Sequence, residues 1–469
     1  MRIAFFSSEV VPFAKTGGLA DVCGSLPLAL EKLGAEMVVF LPRYQCIVPS
    51  KFQLKRLNSS VWTTVIGDNV QVYFIENEKY FDRAGLYGNS EGDYPDNLER
   101  YQFFCAKSLE VLKQLNLKID IAHCHDWQTA LVPAYLKFLH AKDPFFAGVK
   151  SVLTIHNLAY QGVFPKERYP LLGLEEKLFN SEGFEFYDQI NFLKAGIVFS
   201  DSVTTVSNTY AKDILGERLG CGLHGVLRTR KDEVAGILNG IDAETWDPAT
   251  DPLIAERFTR DDPGGKIKNK RKLQELSQLP VLDDVPLLGF VGRLSHQKGI
   301  DLIYDAMQDL MSMDLQLVVK GLGEGKYHAM LRALQHRFPD KFALHIIFDE
   351  NLAHQVYAGS DIFLMPSVYE PCGLSQMISL KYGTIPLVHH TGGLVDTIRP
   401  YDQGGNGFVF QDYSLKDFLH AVREAVKIYH RKTVFAGLVK KAFDCHFTWD
   451  DSARQYMDLY TRRLASETR

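Results

Sequence analysis

The chain has 469 residues, of which 46% are hydrophobic and 23% charged, and its formal net charge is −5. At about 150 residues per domain this length exceeds one ordinary core, so we expect two large domains. The composition is that of a soluble globular protein that needs neither disulfides nor a metal to fold, and the absence of a basic excess argues against nucleic acid as the main partner.

The cysteines and the apolar runs bear on location. The seven cysteines are scattered and never spaced C-x-x-C, which favours reduced thiols in the cytoplasm. The apolar stretch at the N-terminus is too short for the core of a signal peptide. No run approaches the roughly eighteen apolar residues of a membrane span. We therefore expect a cytoplasmic protein with no membrane partner.

The first half alternates predicted strands and helices. A strand over Ile3–Phe6, a loop over Ser7–Gly18, a helix from Leu19 and a strand over Glu36–Leu41 form the repeating unit of a parallel sheet. Pro27 lies inside that helical stretch, so we expect a bend or a later start. Further strands are predicted over Gln71–Ile75, Ile119–His123, Ser151–His156, Ser202–Val206 and Val234–Leu238, helices over Gln102–Leu115 and Trp127–Phe138, and a long loop over Lys79–Asn97.

Residues Asn239–Pro263, rich in Asp, Pro and Gly, interrupt the alternation and predict a boundary between domains 1–240 and 241–448. The basic run Lys266–Lys272 that follows is typical of a solvated loop or the start of a surface helix. Strands are then predicted over Leu287–Val291, Leu315–Lys320, Ala343–Phe348, Asp361–Met365 and Ile385–His389, and helices over Gly299–Met311, Lys326–Arg337, Leu352–Gly359, Leu374–Tyr382 and, amphipathically, Trp449–Leu464.

This pattern predicts an α/β protein with two Rossmann-like, doubly wound parallel sheets in tandem. Ligands of such sheets bind outside the carboxyl ends of the strands, at the point where the strand order reverses. We therefore expect a site in a deep cleft between the two domains.

The stretch Pro366–Gln376 reads PSVYEPCGLSQ and follows the apolar strand Asp361–Met365. Glu370 stands where the strand gives way to a helix, and the next residues offer backbone N–H groups at the helix start. Such a group of donors beside one carboxylate suits sugar hydroxyls or an anion. Taken alone, the stretch fits an ordinary capped turn equally well.

Lys15-Thr16-Gly17-Gly18 leads from the first strand into a helix, and two glycines with a lysine suit a closely approached anion. The motif is neither a Walker loop nor a dinucleotide-binding fingerprint, and Gly321–Gly325 does not match that fingerprint either, which disfavours a nicotinamide enzyme. On its own, Lys15–Gly18 is explained by a plain turn.

Arg293 and Lys298 follow the strand Leu287–Val291 and come just before a helix, where both could bind one phosphate. A surface pair of negligible energetic value is the alternative. The sequence contains no Asp-x-Asp, so a metal-bridged diphosphate has no obvious ligands. His123-Cys124-His125 lacks a second cluster to complete a zinc site, and we expect no metal.

Three further stretches end predicted strands of the first half. His156-Asn157 follows an apolar strand, where we favour substrate contact over a structural histidine. In His125-Asp126-Trp127, the Trp127 ring could stack on a sugar. Asn239-Gly240 is a strong turn signal by itself.

Together, six motifs in this order resemble the bacterial glycogen synthase and plant starch synthase family nearly end to end. They are Lys15–Leu19, His156-Asn157, Asn239–Asp242, Gly292–Leu294 with Lys298-Gly299, Glu370–Leu374 and Thr391–Leu394. The resemblance implies a retaining glucosyltransferase of the two-Rossmann-domain (GT-B) type. Such an enzyme moves α-glucose from ADP-glucose to the non-reducing 4-OH of an α-1,4-glucan such as glycogen, and no other cofactor is implied.

The same resemblance implies roles for individual residues. Lys15 and Gly18 would lie near the diphosphate, and Arg293 with Lys298 would hold its distal phosphate. Glu370 and the backbone of Cys372, Gly373 and Leu374 would hold glucose hydroxyls, with His156 at the reacting face. The remaining implied contacts are Asn157, Asn239, and, on the acceptor side or as structural residues, Asp21, Tyr94, Asp126 and Trp127. In this family the C-terminal helix, here 449–469, returns to pack on the first domain.

Two positions depart from the family pattern. The adenine-stacking tyrosine falls on Phe348, and the usual threonine after Leu374 is Ser375. The lack of a second paired carboxylate favours front-face substitution over double displacement, with Glu370 binding rather than attacking. Three alternatives stay open: a UDP-glucose transferase to a small acceptor, similar to sucrose synthase; a non-hydrolysing sugar-nucleotide epimerase; and a glucan-binding protein with a decayed site. Oligomeric state is not indicated.

Overall fold

The computed structural model describes residues 1–89 and 92–465. Residues 90 and 91, part of the predicted loop 79–97, and residues 466–469, the end of the predicted segment 449–469, lie outside that description, as do the side chains of 463 and 465. The chain divides into two compact units. One comprises Met1–Gly240 together with the segment that begins at Trp449, and the other is Ile241–Thr448.

The first unit is built on a twisted sheet with helices between its strands. Its strands are β1 (Arg2–Phe6), β2 (Glu36–Pro42), β3 (Lys55–Arg56), β4 (Val61–Ile66), β5 (Val70–Ile75), β6 (Gly88–Asn89), β7 (Gly92–Asp93), β8 (Ile121–His125), β9 (Lys150–Ile155), β10 (Val163–Pro165), β11 (Glu185–Phe186), β12 (Gln189–Asn191), β13 (Ser202–Thr205) and β14 (Val234–Gly236). Its helices before the boundary are α1 (Gly18–Lys32), α2 (Glu78–Phe81), α3 (Asn97–Gln114), α4 (Leu131–Ala134), α5 (Phe192–Phe199), α6 (Asn208–Asp213) and α7 (His224–Thr229).

The main sheet of this unit has the order β14-β13-β9-β8-β1-β2-β5-β4-β3. The strands from β14 to β5 pair in parallel, with Phe6 opposite Phe40 of β2 and Cys124 of β8. The central strands are buried on both faces, as expected of a parallel sheet covered by helices. The strand order reverses between β1 and β8, so the loops after these two strands flank the position where such sheets bind ligands.

The second unit contains β15 (Leu287–Val291), β16 (Gln316–Lys320), β17 (Phe342–His345), β18 (Ile362–Met365), β19 (Ile385–His389) and β20 (Phe408–Phe410). Its helices are α8 (Gly265–Leu276), α9 (Ile300–Ser312), α10 (Gly325–Arg337), α11 (Glu350–Gly359), α12 (Ser375–Lys381), α13 (Gly393–Thr397), α14 (Leu415–His430) and α15 (Lys432–Phe443). The sheet order is β17-β16-β15-β18-β19-β20, all parallel. This is the 3-2-1-4-5-6 order of Rossmann-type sheets, and it reverses between β15 and β18.

The helix after Thr448 is α16 (Trp449–Ala465), and it belongs with the first unit. Its apolar stripe includes Tyr456 and Tyr460, both fully buried, whereas Leu459 is half-buried. Ser452 Oγ donates to the Leu238 carbonyl at 2.5 Å, and the Tyr460 hydroxyl lies 2.7 Å from Nδ1 of His123. The amphipathic pattern of the sequence therefore corresponds to a helix that is anchored by both packing and hydrogen bonds.

Several predicted elements differ from the structure. The sequence predicted that the first helix would bend or start later than Leu19. The late start is wrong, because α1 begins at Gly18 and Pro27 lies buried inside it. The segment predicted as a helix over 127–138 is a 3₁₀ turn, the short α4 and a π-helical turn over Tyr135–Leu139. The antiparallel pair β3 and β4 was not predicted because β3 is a two-residue edge strand and β4, next to it, is partly exposed and lacks the continuous apolar run of a buried strand.

The basic run Lys266–Lys272 lies on α8, and its expected surface character holds for only part of it. Lys270 is buried and pairs with Asp361 at 2.8 Å. Lys266 Nζ donates to the carbonyls of Ala358 and Tyr382 and to the Thr384 hydroxyl. These two lysines point inward one helical turn apart and bind groups at the ends of neighbouring elements, while Arg271 on the outer side is exposed. Across residues 1–89 and 92–465, no helix is long and apolar enough to span a membrane.

Candidate functional site

The candidate residues of the second unit stand on two neighbouring loops. One loop follows β15 and carries Arg293 and Lys298, and the other follows β18 and carries Glu370. Since β15 and β18 are adjacent parallel strands, both loops leave the sheet at the same edge. Their position is the reversal point of the strand order, where the fold leaves a crevice for ligands.

Lys298 and Glu370 meet directly at this point. Lys298 Nζ lies 2.6 Å from Glu370 Oε2, and Ser367 Oγ donates to the same oxygen at 2.9 Å. Glu370 is only 5% exposed, whereas the Lys298 side chain is 25% exposed. A nearly buried carboxylate is thus neutralised by one cation that solvent reaches. The two bonds converge on Oε2, so the other oxygen, Oε1, is the one oriented for a further donor.

Two glycines in neighbouring loops let those loops approach the Glu370 loop closely. Gly299 has a φ of +75°, and a Cβ there would come within 1.9 Å of the Pro366 carbonyl oxygen. Gly392 has a φ of +49°, and a Cβ there would come within 2.0 Å of the Glu370 carbonyl oxygen. Any larger residue at either position would push the Glu370 loop away. Gly299 therefore lets the Lys298 loop contact the Glu370 loop, and Gly392 lets the loop after β19 contact it.

The segment after Glu370 partly matches its predicted form. Helix α12 begins at Ser375 instead of Leu374, and Gly373 takes a φ of +73°. Among the residues that the structure describes, the backbone N–H groups of Gly373 and Leu374 meet no acceptor. Cys372 is buried, and the Ser375 hydroxyl accepts from Tyr357 at 2.9 Å. Two backbone donors close to Glu370 in the chain are thus without an acceptor among the described residues.

Arg293 and Phe348 lie at the same edge of this sheet but toward solvent. Arg293 is exposed in the loop after β15. Phe348 is 67% exposed between β17, which ends at His345 rather than at the predicted residue 348, and α11. Lys320 Nζ lies 5.7 Å from the centre of the Phe348 ring. An exposed ring of this kind can stack on a planar base.

In the first unit, the loop after β1 is organised by Glu9. This buried carboxylate accepts from the backbone N–H groups of Thr16 and Gly17, the Thr16 hydroxyl and, at 2.6 Å, the Tyr87 hydroxyl. Two donors that the sequence suggested for an anion are therefore occupied by a carboxylate of the chain itself. Gly18 opens α1, and Lys15 pairs with Asp21 of that helix at 2.7 Å. Lys15 is thus held at the loop edge with its side chain 30% exposed.

Asp126 and His156 follow the neighbouring strands β8 and β9. Asp126 has a φ of +55°, and its Oδ1 accepts from the His156 N–H at 2.7 Å. Burial raises the pKa of Asp126 to about 7, although the backbone N–H groups of His156 and Asn157 favour its ionised form. Asn157 closes its turn by accepting from the Ala159 N–H at 3.1 Å. Asp126 therefore shapes the loop that presents His156.

His156 is half-buried at the end of β9, and burial lowers its pKa to about 3. Its Nε2 lies 3.0 Å from Nδ1 of His125. Behind them, the rings of His125 and His123 lie 4.3 Å apart, and burial lowers the pKa of both. The row is consequently neutral at physiological pH. Within the described ranges, no group of three or more His, Cys, Asp or Glu side chains is arranged to hold a metal.

Tyr94 and Trp127 are packed by the protein itself. The Tyr94 ring lies between the guanidinium groups of Arg83 and Arg100, 4.8 Å and 4.9 Å away. Trp127 is 8% exposed, contacts the rings of Tyr101, Phe164 and Phe192, and touches Gly162 so closely that a Cβ there would clash. Its ring therefore has little surface for the sugar stacking that the sequence suggested, and the structure gives it a packing role.

Asn239 lies just after β14, at the end of the first unit. Its side chain is 6% exposed, and its Oδ1 is buried with no hydrogen-bond partner among the described residues. An unpaired buried amide oxygen is costly in a folded protein. The substrate contact implied for Asn239 stays a prediction, and the unpaired oxygen is the feature of this residue that a plain turn does not explain.

Sequence reasoning missed Glu9, Tyr87 and Ser367, and it considered His125 only as a metal ligand and as part of a stacking motif. Glu9 had a usable signal, because it follows a buried strand at its carboxyl end. Tyr87 had none, since it lies in an irregular segment between α2 and α3 and reaches Glu9 across 78 residues. Buried Arg100 orders that segment by donating to the Tyr80 and Leu86 carbonyls.

Comparison with known proteins assigns both units. Residues 2–229 match the family model described as starch synthase catalytic domain, and residues 273–435 match glycosyl transferases group 1. The chain is 44% identical to a glycogen synthase of Desulforamulus reducens over 99% of both chains. It is also 44% identical to a glycogen synthase of Thermotoga petrophila over 99% of both.

Solved structures agree with these relatives. The catalytic domain of starch synthase IV from Arabidopsis thaliana, bound to ADP and acarbose, superposes with a TM-score of 0.93 at 34% identity over 99% of both chains. Sucrose-phosphate synthase from Thermosynechococcus elongatus shares the fold, with a TM-score of 0.61 at 17% identity. The chain therefore belongs to the glycogen synthase and starch synthase family of glycosyltransferases, which has the GT-B fold.

Proposed function

We propose that this enzyme transfers α-glucose from ADP-glucose to the non-reducing 4-OH of an α-1,4-glucan, with retention of configuration. The observation that carries the proposal is the Lys298–Glu370–Ser367 cluster at the reversal point of the second sheet, beside two unpaired backbone N–H groups. Such a cluster offers a cation for a phosphate, and a carboxylate with N–H donors for sugar hydroxyls.

ADP-glucose is proposed as the donor on two grounds. The starch synthase IV structure that superposes on this chain contains ADP. In this chain the exposed Phe348 follows β17, and Arg293 and Lys298 follow β15 of the same sheet, so the loops at the carboxyl ends of its strands carry a ring that can stack on a purine and cations that suit a diphosphate. A phenylalanine stacks but cannot donate a hydrogen bond to the base, which leaves base selectivity to other contacts.

The reaction proposed is a front-face substitution through an oxocarbenium-like state. Lys298 and Arg293 would stabilise the leaving phosphate, which helps to deprotonate the incoming hydroxyl, and Glu370 would orient glucose. Lys298 and Ser367 both bind Glu370 through Oε2, which suits a carboxylate that is held in place to orient glucose through Oε1. Mass spectrometry of enzyme quenched during turnover tests this step: a covalent glucosyl–Glu370 adduct would contradict it.

The substrate assignment is tested with donor labelled in the glucose. Enzyme is incubated with labelled ADP-glucose or UDP-glucose, with and without glycogen, and the label is followed into polymer, small sugar or epimer. We expect label in polymer only when ADP-glucose and glycogen are both present. Label in a small sugar from UDP-glucose would favour a sucrose-synthase-like transferase. Label in an epimer would favour an isomerase, and binding without turnover would favour a glucan-binding protein.

No metal or further cofactor is included in this proposal. EDTA treatment followed by the same assay tests that point, and an activity that returns only with a divalent cation would contradict it. A cytoplasmic location is likewise proposed from the sequence, and seven free cysteines are consistent with it.

A further inference from the structure

Three histidine rings form a row in the first unit, from the core to the candidate site. His123 and His125 project from the same face of β8, and His156 follows the adjacent strand β9. Ring centroids are 4.3 Å apart between the first two and 5.3 Å between the last two. The one hydrogen bond that joins His125 and His156 runs between Nδ1 of His125 and Nε2 of His156, at 3.0 Å.

Two neutral imidazoles can share that bond in two ways. Either His125 donates from Nδ1 and His156 accepts at Nε2, or the roles are reversed. Each choice fixes the second nitrogen of both rings, because a neutral imidazole carries one proton. If His125 donates, its Nε2 is a bare lone pair and His156 carries its proton on Nδ1. If His125 accepts, its Nε2 carries the proton, and Nδ1 of His156 is the lone pair.

The second nitrogen of His125 separates these arrangements. Its Nε2 is buried and has no hydrogen-bond partner among the described residues. The His125 ring lies among other rings: its centroid is 4.9 Å from that of Phe5 and 4.3 Å from that of His123. A buried N–H without an acceptor is rarer in proteins than a buried acceptor without a donor. The arrangement that leaves no proton on this nitrogen is therefore favoured.

We propose that His125 is a positioning residue that donates from Nδ1 to His156 and thereby fixes His156 as the Nδ1-protonated tautomer. Nδ1 of the half-buried His156 then carries an N–H donor and not a lone pair. Among the described residues, no group bonds to that Nδ1. The chemistry that it recognises is an oxygen acceptor such as a sugar hydroxyl, and it cannot act as a general base through that atom.

The rest of the row holds His125 in place. His123 is bonded at both nitrogens, to the Tyr460 hydroxyl at 2.7 Å and to the Thr154 hydroxyl at 2.6 Å, so its ring cannot turn. His125 packs against that fixed ring, and its backbone N–H donates to Thr129 Oγ1 at 2.6 Å. The depressed pKa values of all three rings, caused by burial, agree with a row that stays neutral.

Neutron diffraction from crystals of the full chain, exchanged into heavy water at neutral pH, tests the tautomer directly. We expect deuterium on Nδ1 of His125 and on Nδ1 of His156, and none on Nε2 of His125. Deuterium on Nε2 of His125, or on both nitrogens of His156, would overturn the proposal. This readout does not depend on the donor, so it stands even if the function proposed above fails.

A kinetic series tests the consequence, which rests on the proposed function. His125→Asn keeps an amide donor where Nδ1 lies, whereas His125→Gln places its amide at the Nε2 side and His125→Phe has no donor. We expect the Asn variant to stay within about threefold of the wild-type kcat/KM, and the Gln and Phe variants to lose roughly tenfold, as for one hydrogen bond. Thermal unfolding is used to check that the Asn and Phe variants are folded. If both are folded and lose kcat/KM equally, the positioning role is contradicted.

If ADP-glucose is not turned over by the wild-type enzyme, the proposed function fails and the neutron result alone decides the tautomer. If a variant does not fold, the same measurement on the wild-type chain still decides it. Turnover with deuterium on Nε2 of His125 would instead retain the function and discard the role of His125.

Discussion

The two units hold their candidate residues by different means. In the second unit, backbone geometry does most of the positioning: two loops leave adjacent strands, glycines bring them into contact, and one ion pair joins Lys298 to Glu370. In the first unit, side chains position other side chains. Glu9 is held by Tyr87, and His156 is held by Asp126 and His125.

This contrast indicates where each unit should be vulnerable. Where the backbone positions a site, activity depends on the few side chains that reach the ligand. Replacing one of those side chains should therefore have a large effect on rate. A group built from buried polar side chains depends on residues that never touch the ligand, because each leaves a neighbour unpaired when it is removed.

Lys298→Ala should have the largest effect. It removes the cation beside a nearly buried Glu370, and we expect kcat/KM to fall about 100-fold or more, as for other preorganised charge-stabilising groups. Glu370→Ala should cost at least about tenfold. Steady-state kinetics with the donor found active in the labelling assay measures both. Near-normal rates in either variant would remove that residue from the mechanism.

Lys381→Ala is the matched control for Lys298→Ala. Lys381 is also a half-exposed lysine of the second unit, paired with Asp247 at 3.0 Å. It lies at the far end of α12 from the Glu370 loop. Its replacement should change kcat/KM by less than about twofold, since exposed ion pairs contribute little. A comparable loss in both variants would show that any lysine pair in this unit matters, and the specific role of Lys298 would be lost.

The same contrast explains how far the sequence could predict the molecule. Buried parallel strands appear as apolar runs, so β15, β18 and the loops after them were located from sequence, and with them Glu370 and Lys298. Partly exposed strands such as β4 lack that signal. The partner of Glu9 could not be predicted, because Tyr87 lies in an irregular segment that is ordered by buried Arg100, and no period in the sequence marks such contacts.

Asp126→Asn tests the first unit through pH. Because the folded pKa of Asp126 is raised by burial from 3.8 to about 7, the native state binds this proton more tightly than the unfolded chain does. Stability from this group is therefore fully present below about pH 4 and is lost as pH rises through 7. Asn tolerates the positive φ of this position and still accepts from the His156 N–H.

We expect the unfolding free energy of the wild type, relative to Asp126→Asn, to fall by at most about 2 kcal/mol between pH 5 and 6.5, since one group contributes about 1.4 kcal/mol per pH unit. Urea unfolding at the two pH values measures this difference. Asp143→Asn, on a half-buried loop carboxylate of the same unit that pairs with Lys113, is the control. If the wild type gained stability relative to Asp126→Asn over that interval, the sign of the pKa shift would be wrong.

Glu9→Ala should lower activity by about tenfold without touching the candidate residues of the second unit. The loop that carries Lys15 would lose four hydrogen bonds to one carboxylate, and its N–H groups at Thr16 and Gly17 would be left unpaired. Tyr87→Phe removes one of these bonds and should cost less. A rate equal to wild type in Glu9→Ala would mean that the geometry of the Lys15 loop does not matter for turnover.

Tyr460→Phe should have the smallest effect and act on stability more than on rate. The hydroxyl lies 2.7 Å from Nδ1 of His123 and is fully buried, so its removal leaves that nitrogen unpaired at a cost of about 1 kcal/mol. His123 keeps its bond to Thr154, so the row should still hold His125 and kcat should change by less than about twofold. Tyr187→Phe, on a ring that is 80% exposed, is the control and should change neither. A large loss of kcat in Tyr460→Phe would show that helix α16 acts on His156 through the row and not merely by packing.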